Sequence, residues 1–194
     1  PVGKFIPLGN STVGSSIEFN NKKYLIESLE NFDPQTAQII IFSAGSTVAE
    51  KYARDFVAAG SFVVDLSSNF RYQDDVPLII PEINGDIIES LSKPSLIANP
   101  NCSTAQLLMA LKPIHDNAKI KFLNIATYQA VSGTGKAALE ELHNQTYFTD
   151  SENESVVYPK QIAFNVIPQC DIFLENNFTK EEMKLTWETH KILD

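Results

Sequence analysis

The sequence predicts an α/β protein, with a doubly wound sheet over residues 1–101 and a second, α+β region over residues 102–194. Three observations carry this reading. Short apolar runs, of which Ile39-Ile40-Ile41-Phe42 is the most continuous, recur between turn signals. Helical patterning alternates with these runs, as a sheet with helices on its faces requires. After Cys102 the alternation gives way to longer segments. In such a sheet, ligands gather at the carboxyl ends of the strands.

Lys4 to Leu8 reads as the first strand, and Ile17-Glu18-Phe19 with Tyr24-Leu25-Ile26 as a hairpin turning at Asn20-Asn21. Ile39 to Phe42 lacks polar alternation, which predicts a strand buried on both faces. Ser43 to Ser46 turns, and Val48 to Ala59 reads as a helix stopped by Gly60. Phe62-Val63-Val64, Leu78-Ile79-Ile80 and Leu96-Ile97-Ala98 are the next expected strands. Ala105, Leu107, Leu108 and Leu111 are spaced as in a helix, expected to stop at Pro113. A strand from Ile120 to Thr127, a helix from about Lys136 to Asn144 and a surface loop over Thr149–Ser155 follow. The last helix opens at Thr179, with Glu182 at capping-box spacing.

Composition narrows the function classes. Hydrophobic residues at 43% and charged residues at 20% describe an ordinary globular protein. A net charge of −9 argues against nucleic acid and anionic membrane surfaces as partners. No apolar run reaches membrane-spanning length. Two cysteines form no disulfide framework, which fits a reducing, cytoplasmic compartment. No metal site is expected.

The octet Asn99-Pro100-Asn101-Cys102-Ser103-Thr104-Ala105-Gln106 is the most informative stretch. It joins the run Leu96-Ile97-Ala98 to a helical pattern, so Cys102 lands at a strand-to-helix turn. Unpaired backbone N–H groups and the positive end of a helix dipole meet there. That setting favours a thiolate and makes the sulfur a candidate nucleophile. The same N–H groups could hold the oxyanion of an acyl-transfer intermediate. Pro100 donates no hydrogen bond and restricts Asn99, which stiffens the turn.

Other segments carry weaker signals. Ser43-Ala44-Gly45-Ser46-Thr47 follows a strand and opens a helix, and its small residues let a phosphate approach. Arg71 offers paired donors to phosphate or carboxylate. Ala130-Val131-Ser132-Gly133-Thr134-Gly135-Lys136-Ala137 approaches a nucleotide P-loop but has Ala137 where a hydroxyl must meet magnesium, which excludes an NTPase. Glu181, Lys184, Glu188 and Lys191 share one helix face, a pattern read by default as a solvated, salt-bridged surface. Cys170 reads as a packed thiol, and His115, His143 and His190 as unremarkable surface or helix-end residues.

The octet closely resembles the nucleophile segment of the aspartate-semialdehyde dehydrogenases. Ile41–Gly45, Val64–Arg71, Val76–Glu82, Thr127–Gly135 and Ile162–Gln169 resemble further blocks of that family, in matching order and spacing. The resemblance implies a Rossmann-like sheet, incomplete at its N-terminus because the glycine-rich turn is absent, followed by the start of a catalytic and dimerisation domain. It implies Cys102 as nucleophile, with Arg71 and Asn101 on the phosphoryl group and Gln129 against the substrate near the sulfur. Glu181 and Lys184 match the family's Glu-x-x-Lys, for the substrate amino group and the phosphate. Ser43, Ala44, Gly45, Ser132 and Gly133 fall to the cofactor, NADP. The resemblance further implies a homodimer or homotetramer that reduces L-aspartyl-4-phosphate to L-aspartate 4-semialdehyde, toward lysine, threonine, methionine and isoleucine.

Two departures stand beside it. Asn10-Ser11-Thr12-Val13-Gly14 occupies the place where many relatives carry an arginine suited to the 2′-phosphate of NADP. The family's general-base histidine, shortly after an arginine, is expected beyond Asp194. Two other readings stay open: a shortened, non-catalytic assembly subunit of the same fold, and an unrelated thiol hydrolase using Cys102.

Overall fold

The computed structural model describes residues 3–148 and 155–193; the expected loop at Thr149–Ser155 lies, but for Ser155, outside the described residues. The chain forms two compact units. One runs to Asn69 and takes in Leu91–Ile97, and the other comprises Phe70–Ser90 and the chain from Ala98 onward.

The first unit opens with β1 (Leu8–Gly9), β2 (Ser16–Phe19), β3 (Lys22–Leu25) and β4 (Glu27–Ser28). The expected first strand is cut to β1, which pairs in parallel with β4. β2 and β3 form the expected antiparallel hairpin. Its turn residues Asn20 and Asn21 have φ of 54° and 61°, the left-handed pair that matches a hairpin's twist and that asparagine tolerates.

A three-stranded sheet follows, β5 (Ile39–Phe42), β6 (Phe62–Asp65) and β7 (Leu96–Ala98) in that order. β5 and β6 run parallel, joined by helix α1 (Ser46–Ala58), which ends before Gly60 at φ 106°. Phe56 of α1 meets Phe42 edge-on at 5.7 Å and stacks on Phe32 at 6.2 Å. Only one face of β5 is covered. Ile40 and Phe42 are buried, whereas Ile39 and Ile41 are 67% and 64% exposed, because α1 packs on one side and nothing among the described residues covers the other.

In the second unit, α2 (Pro81–Asn84) and α3 (Asp86–Ser90) precede α4 (Cys102–Ala118), α5 (Lys136–Tyr147) and α6 (Lys180–Leu193). α6 packs on α4. Three expectations give way here. Leu78–Ile80 makes a single parallel bridge, Leu78 to Ala98, in place of a strand. The Asn84 side chain takes the ladder's place, accepting from Ile80 N at 2.9 Å and donating to Leu78 O at 2.9 Å. α4 runs through Pro113 and ends at Lys119, whose φ of 49° breaks the helix. Proline removes one helical N–H, and Asn117 donates to the Pro113 carbonyl at 2.7 Å within that last stretch. Ile120–Thr127 forms no strand, since a strand exists only where a neighbour takes its N–H and C=O groups, and none of the described residues does so.

No helix among the described residues is long and apolar enough to cross a membrane.

Candidate active site

Cys102 is the first residue of α4 and its thiol is free and exposed. The residue before it does most to define the turn. Asn101 is the N-cap: its Oδ1 accepts from Ser103 N at 2.8 Å and from Thr104 N at 3.4 Å. An N-cap asparagine is among the strongest helix starters, which is why the strand Leu96–Ala98 converts to helix within a few residues. The cap also corrects the sequence reading. Two of the first-turn N–H groups assigned to an oxyanion are occupied by Asn101, and the N–H of Cys102 itself is not among them.

The other end of the Asn101 side chain reaches α6. Its Nδ2 donates to Glu181 Oε1 at 2.9 Å. Gln129 joins the same carboxylate oxygen at 3.3 Å and also donates to Ser103 Oγ at 3.3 Å. Lys184, one turn along α6 from Glu181, donates to Glu181 Oε2 and to Asp171 Oδ2, both at 2.8 Å. Burial alone would raise the Glu181 carboxyl, but the hydrogen bonds from Lys184 and Asn101 hold it below its ordinary value. Asp171 is likewise held down by Lys184 against the effect of burial. Lys184 shows the converse, raised by its two carboxylates although burial works against its charge.

The start of α6 explains this placement. Thr179 and Glu182 form the expected capping box, with Glu182 Oε2 accepting from Thr179 N at 2.6 Å and Thr179 Oγ1 accepting from Glu182 N at 3.2 Å. That fixes the first turn, which carries Glu181 and Lys184.

Further along α6 the solvated-face reading fails. Glu188 is fully buried and Arg71 is 7% exposed. Arg71 Nη1 donates to Glu188 Oε1 at 3.0 Å, Tyr72 OH donates to the same oxygen at 3.2 Å, and the backbone N–H of Asn101 donates to Oε2 at 2.6 Å. Burial, then the Glu188 charge, pushes the Tyr72 hydroxyl well above its ordinary range. Lys191 donates to the carbonyls of Gln73 and Val76 at 2.6 and 2.9 Å, and burial lowers its pKa. The default fails because helical spacing says which residues share a face and not what that face meets.

Cys170 is also not the packed thiol expected. It is exposed, and its Sγ donates to Gln129 Oε1 at 3.2 Å. Partial burial and the nearby Glu181 and Asp171 carboxylates raise its pKa, with a smaller push from Cys102. Arg71, Asn101, Cys102, Gln129, Glu181 and Lys184 thus belong to one connected set within the second unit. Ser132 and Gly133 lie in the same unit, exposed, on a single 3-10 turn (Val131–Thr134). Ser43, Ala44 and Gly45 belong to the first unit, exposed, immediately before α1. Of the three histidines, His115 lies on α4 and His143 on α5. His115 is about 20 Å along α4 from Cys102 at 1.5 Å per residue, and His143 packs its ring on Tyr147 at 4.8 Å.

Comparison with known proteins decides the family. The sequence model for the semialdehyde dehydrogenase NAD binding domain matches residues 2–91, and that for the semialdehyde dehydrogenase dimerisation domain matches residues 111–194. The aspartate-semialdehyde dehydrogenase of Shewanella violacea is 51% identical over 195 aligned positions, covering 99% of this chain and 58% of that protein. The Legionella pneumophila enzyme is 44% identical, over 100% of this chain and 57% of its own length. The chain belongs to the aspartate-semialdehyde dehydrogenase family. The crystal structure of aspartate semialdehyde dehydrogenase II from Vibrio cholerae superposes with a TM-score of 0.90 at 42% identity, covering 100% of this chain and 58% of that one. The chain therefore spans a little over half the length of these semialdehyde dehydrogenases. Within this family's fold, the sequence missed Asp171, Tyr72 and Glu188 as parts of the site. Glu188 carried one signal, a place seven residues after Glu181 on the same helix face.

Proposed function

We propose that the protein reduces L-aspartyl-4-phosphate to L-aspartate 4-semialdehyde through a thioester on Cys102. The observation that carries this reading is the bonding on either side of the sulfur. Asn101 and Ser103 flank Cys102 and bond respectively to Glu181 and Gln129, and Glu181 in turn bonds Lys184. A carboxylate thus lies one side chain, and an ammonium two, from an exposed thiol. A substrate with an amino group and an acyl phosphate needs that complement of charges. The Vibrio cholerae neighbour, solved also as a complex with ASA, supports a small polar substrate.

In this reading Cys102 attacks the acyl carbon, a carbon–sulfur bond forms, and the acyl–phosphate bond breaks with release of inorganic phosphate. Arg71, Asn101 and Lys184 bind the phosphoryl group, Glu181 accepts the substrate ammonium, and Gln129 holds the reacting carbonyl beside the sulfur. Lys184 exchanges part of its pairing with Asp171 for phosphate. A thioester accepts hydride far more readily than a carboxylate does, which is the reason for using sulfur. Collapse of the thiohemiacetal then breaks the carbon–sulfur bond and returns the thiolate.

The chain's features fit a nicotinamide dinucleotide. α1 opens at Gly45, with φ 88° and no side-chain cap, so its first N–H groups remain available to a phosphate. Ser43, Ala44, Gly45, Ser132 and Gly133 would hold the cofactor, which when bound as NADPH supplies the hydride. The same reading makes the protein a cytoplasmic homodimer or homotetramer in lysine, threonine, methionine and isoleucine biosynthesis; the match to a dimerisation domain supports the oligomer.

The test is to mix the protein with the acyl phosphate in the absence of NADPH. One equivalent of phosphate should be released, with the acyl mass on the Cys102 peptide. No adduct, or an adduct on Cys170, would overturn the assignment.

A further inference from the structure

The Glu188 carboxylate has no place in the chemistry just described, yet it is fully buried and bonds both Arg71 and the peptide of Asn101. Its two oxygens divide their donors. Oε1 takes Arg71 Nη1 at 3.0 Å and Tyr72 OH at 3.2 Å. Oε2 takes the backbone N–H of Asn101 at 2.6 Å. Asn101 is therefore held at both ends by α6, its peptide by Glu188 and its side-chain amide by Glu181 at 2.9 Å. Cys102 is joined directly to Asn101, so the start of α4 cannot shift without stretching a charge-assisted bond.

We propose that Glu188 is a positioning residue, which locks the phosphate-binding guanidinium of Arg71 to the peptide that carries the nucleophile. The inference rests on the functional reading above and deepens it. A buried carboxylate is costly unless it is paired and fully hydrogen-bonded, and here the arginine supplies the charge and the other two donors complete the set. Anchoring the guanidinium through Nη1 ties it to Glu188, so the pair limits how far phosphate site and sulfur can drift apart. A solvated glutamate on this helix face could do none of this.

Glu188→Gln is the discriminating variant. It keeps the shape but has one acceptor oxygen, so its NH2 must face either the Asn101 N–H or the Arg71–Tyr72 pair, donor against donor. Glu141→Gln is the matched control. Glu141 is also buried, on α5, and accepts the backbone N–H groups of Val156 and Val157 at 2.9 and 2.6 Å; none of its hydrogen bonds among the described residues reaches a residue beside Cys102.

On the complete protein, Glu188→Gln should raise the KM for inorganic phosphate in the reverse reaction about 10-fold and slow kcat by a similar factor. It should also change the rate at which iodoacetamide alkylates Cys102, followed on its peptide, by at least 5-fold. Glu141→Gln should lower thermal stability and leave all three readouts within 2-fold of wild type. Equal kinetic effects from the two variants would overturn the proposal, since both would then act through stability alone. Should Glu188→Gln fail to fold, Tyr72→Phe decides: it removes one bond to Oε1 and should raise the phosphate KM about 3-fold, while an unchanged KM overturns the proposal. The alkylation arm needs no substrate. A protein inactive on aspartyl phosphate whose Cys102 still responds to Glu188→Gln would sink the functional reading and keep this one.

Discussion

The thiol of Cys170 donates to the Gln129 carboxamide oxygen at 3.2 Å, and the nitrogen of that amide donates to Ser103 at 3.3 Å. One amide therefore bonds both Cys170 and the residue that follows Cys102. Cys170→Ser keeps a donor toward Gln129 and should leave KM near wild type. Cys170→Ala removes the donor, frees the amide to turn, and should raise the substrate KM by roughly 2–5-fold, the cost of one ordinary hydrogen bond. Identical kinetics for the two variants would show that Gln129 is held by Ser103 and Glu181 alone.

The raised pKa of Cys170 has its own signature. Only the thiolate reacts with iodoacetamide, so alkylation of the Cys170 peptide should be slower at pH 7.5 than that of an unstructured cysteine peptide. The ratio should close as the pH rises toward 10. A Cys170 that alkylates as fast as the free peptide at pH 7.5 would contradict burial and the Glu181 and Asp171 charges as the controlling influences.

Arg71→Ala and Lys184→Ala should each weaken use of acyl phosphate or inorganic phosphate, by roughly 1.5–3 kcal/mol for a lost charge-assisted hydrogen bond. Their effects on stability should differ. Removing Arg71 takes the charge partner from the fully buried Glu188, and breaking such a pair costs about 3–5 kcal/mol. Urea denaturation of both variants measures the contrast, and equal midpoints would contradict it.

The Lys184 cluster should also leave a mark on the pH dependence of stability. Asp171 and Glu181 are held below their unfolded values, so their contribution is complete above about pH 4.3 and is lost as pH falls through the lower folded values. Lys184 is raised, so its contribution is complete below about pH 10.4 and is lost as pH rises through the folded value. In Lys184→Met the gap in Tm from wild type should be widest near neutrality and narrow on both flanks. A gap that stays constant from pH 3 to pH 7 would mean the cluster is not coupled in this way.

Thr179→Ala should cost about 1 kcal/mol, as loss of an N-cap does. Because the frayed turn bears Glu181 and Lys184, its substrate KM should rise as well. A stability loss with unchanged KM would show that packing of α6 on α4 places those side chains without the cap.

What could be read from the sequence was what local chemistry dictates. The Asn20-Asn21 turn, the Thr179–Glu182 capping box and Cys102 at the head of α4 all follow from residues within a few positions of one another. What could not be read depends on distant partners. Glu188 lies 117 residues from Arg71 in sequence, and helical periodicity carries no trace of that pairing. Leu78–Ile80 has a strand's composition, but the Asn84 amide satisfies the backbone that a neighbouring strand would have met. Pro113 stops most helices, and here one missing N–H is tolerated within a 17-residue helix.

The path of the backbone between the two units has a genetic consequence. The chain leaves the first unit after Asn69, returns for Leu91–Ile97 and leaves again at Ala98. No single crossover point in the gene can therefore separate the two units, since any cut that passes one of them whole carries part of the other with it. A recombinant joined at Cys102 would inherit Glu188 from one parent and Arg71 from the other. A join there keeps the pair only when the two parents supply an Arg71 and a Glu188 that fit each other.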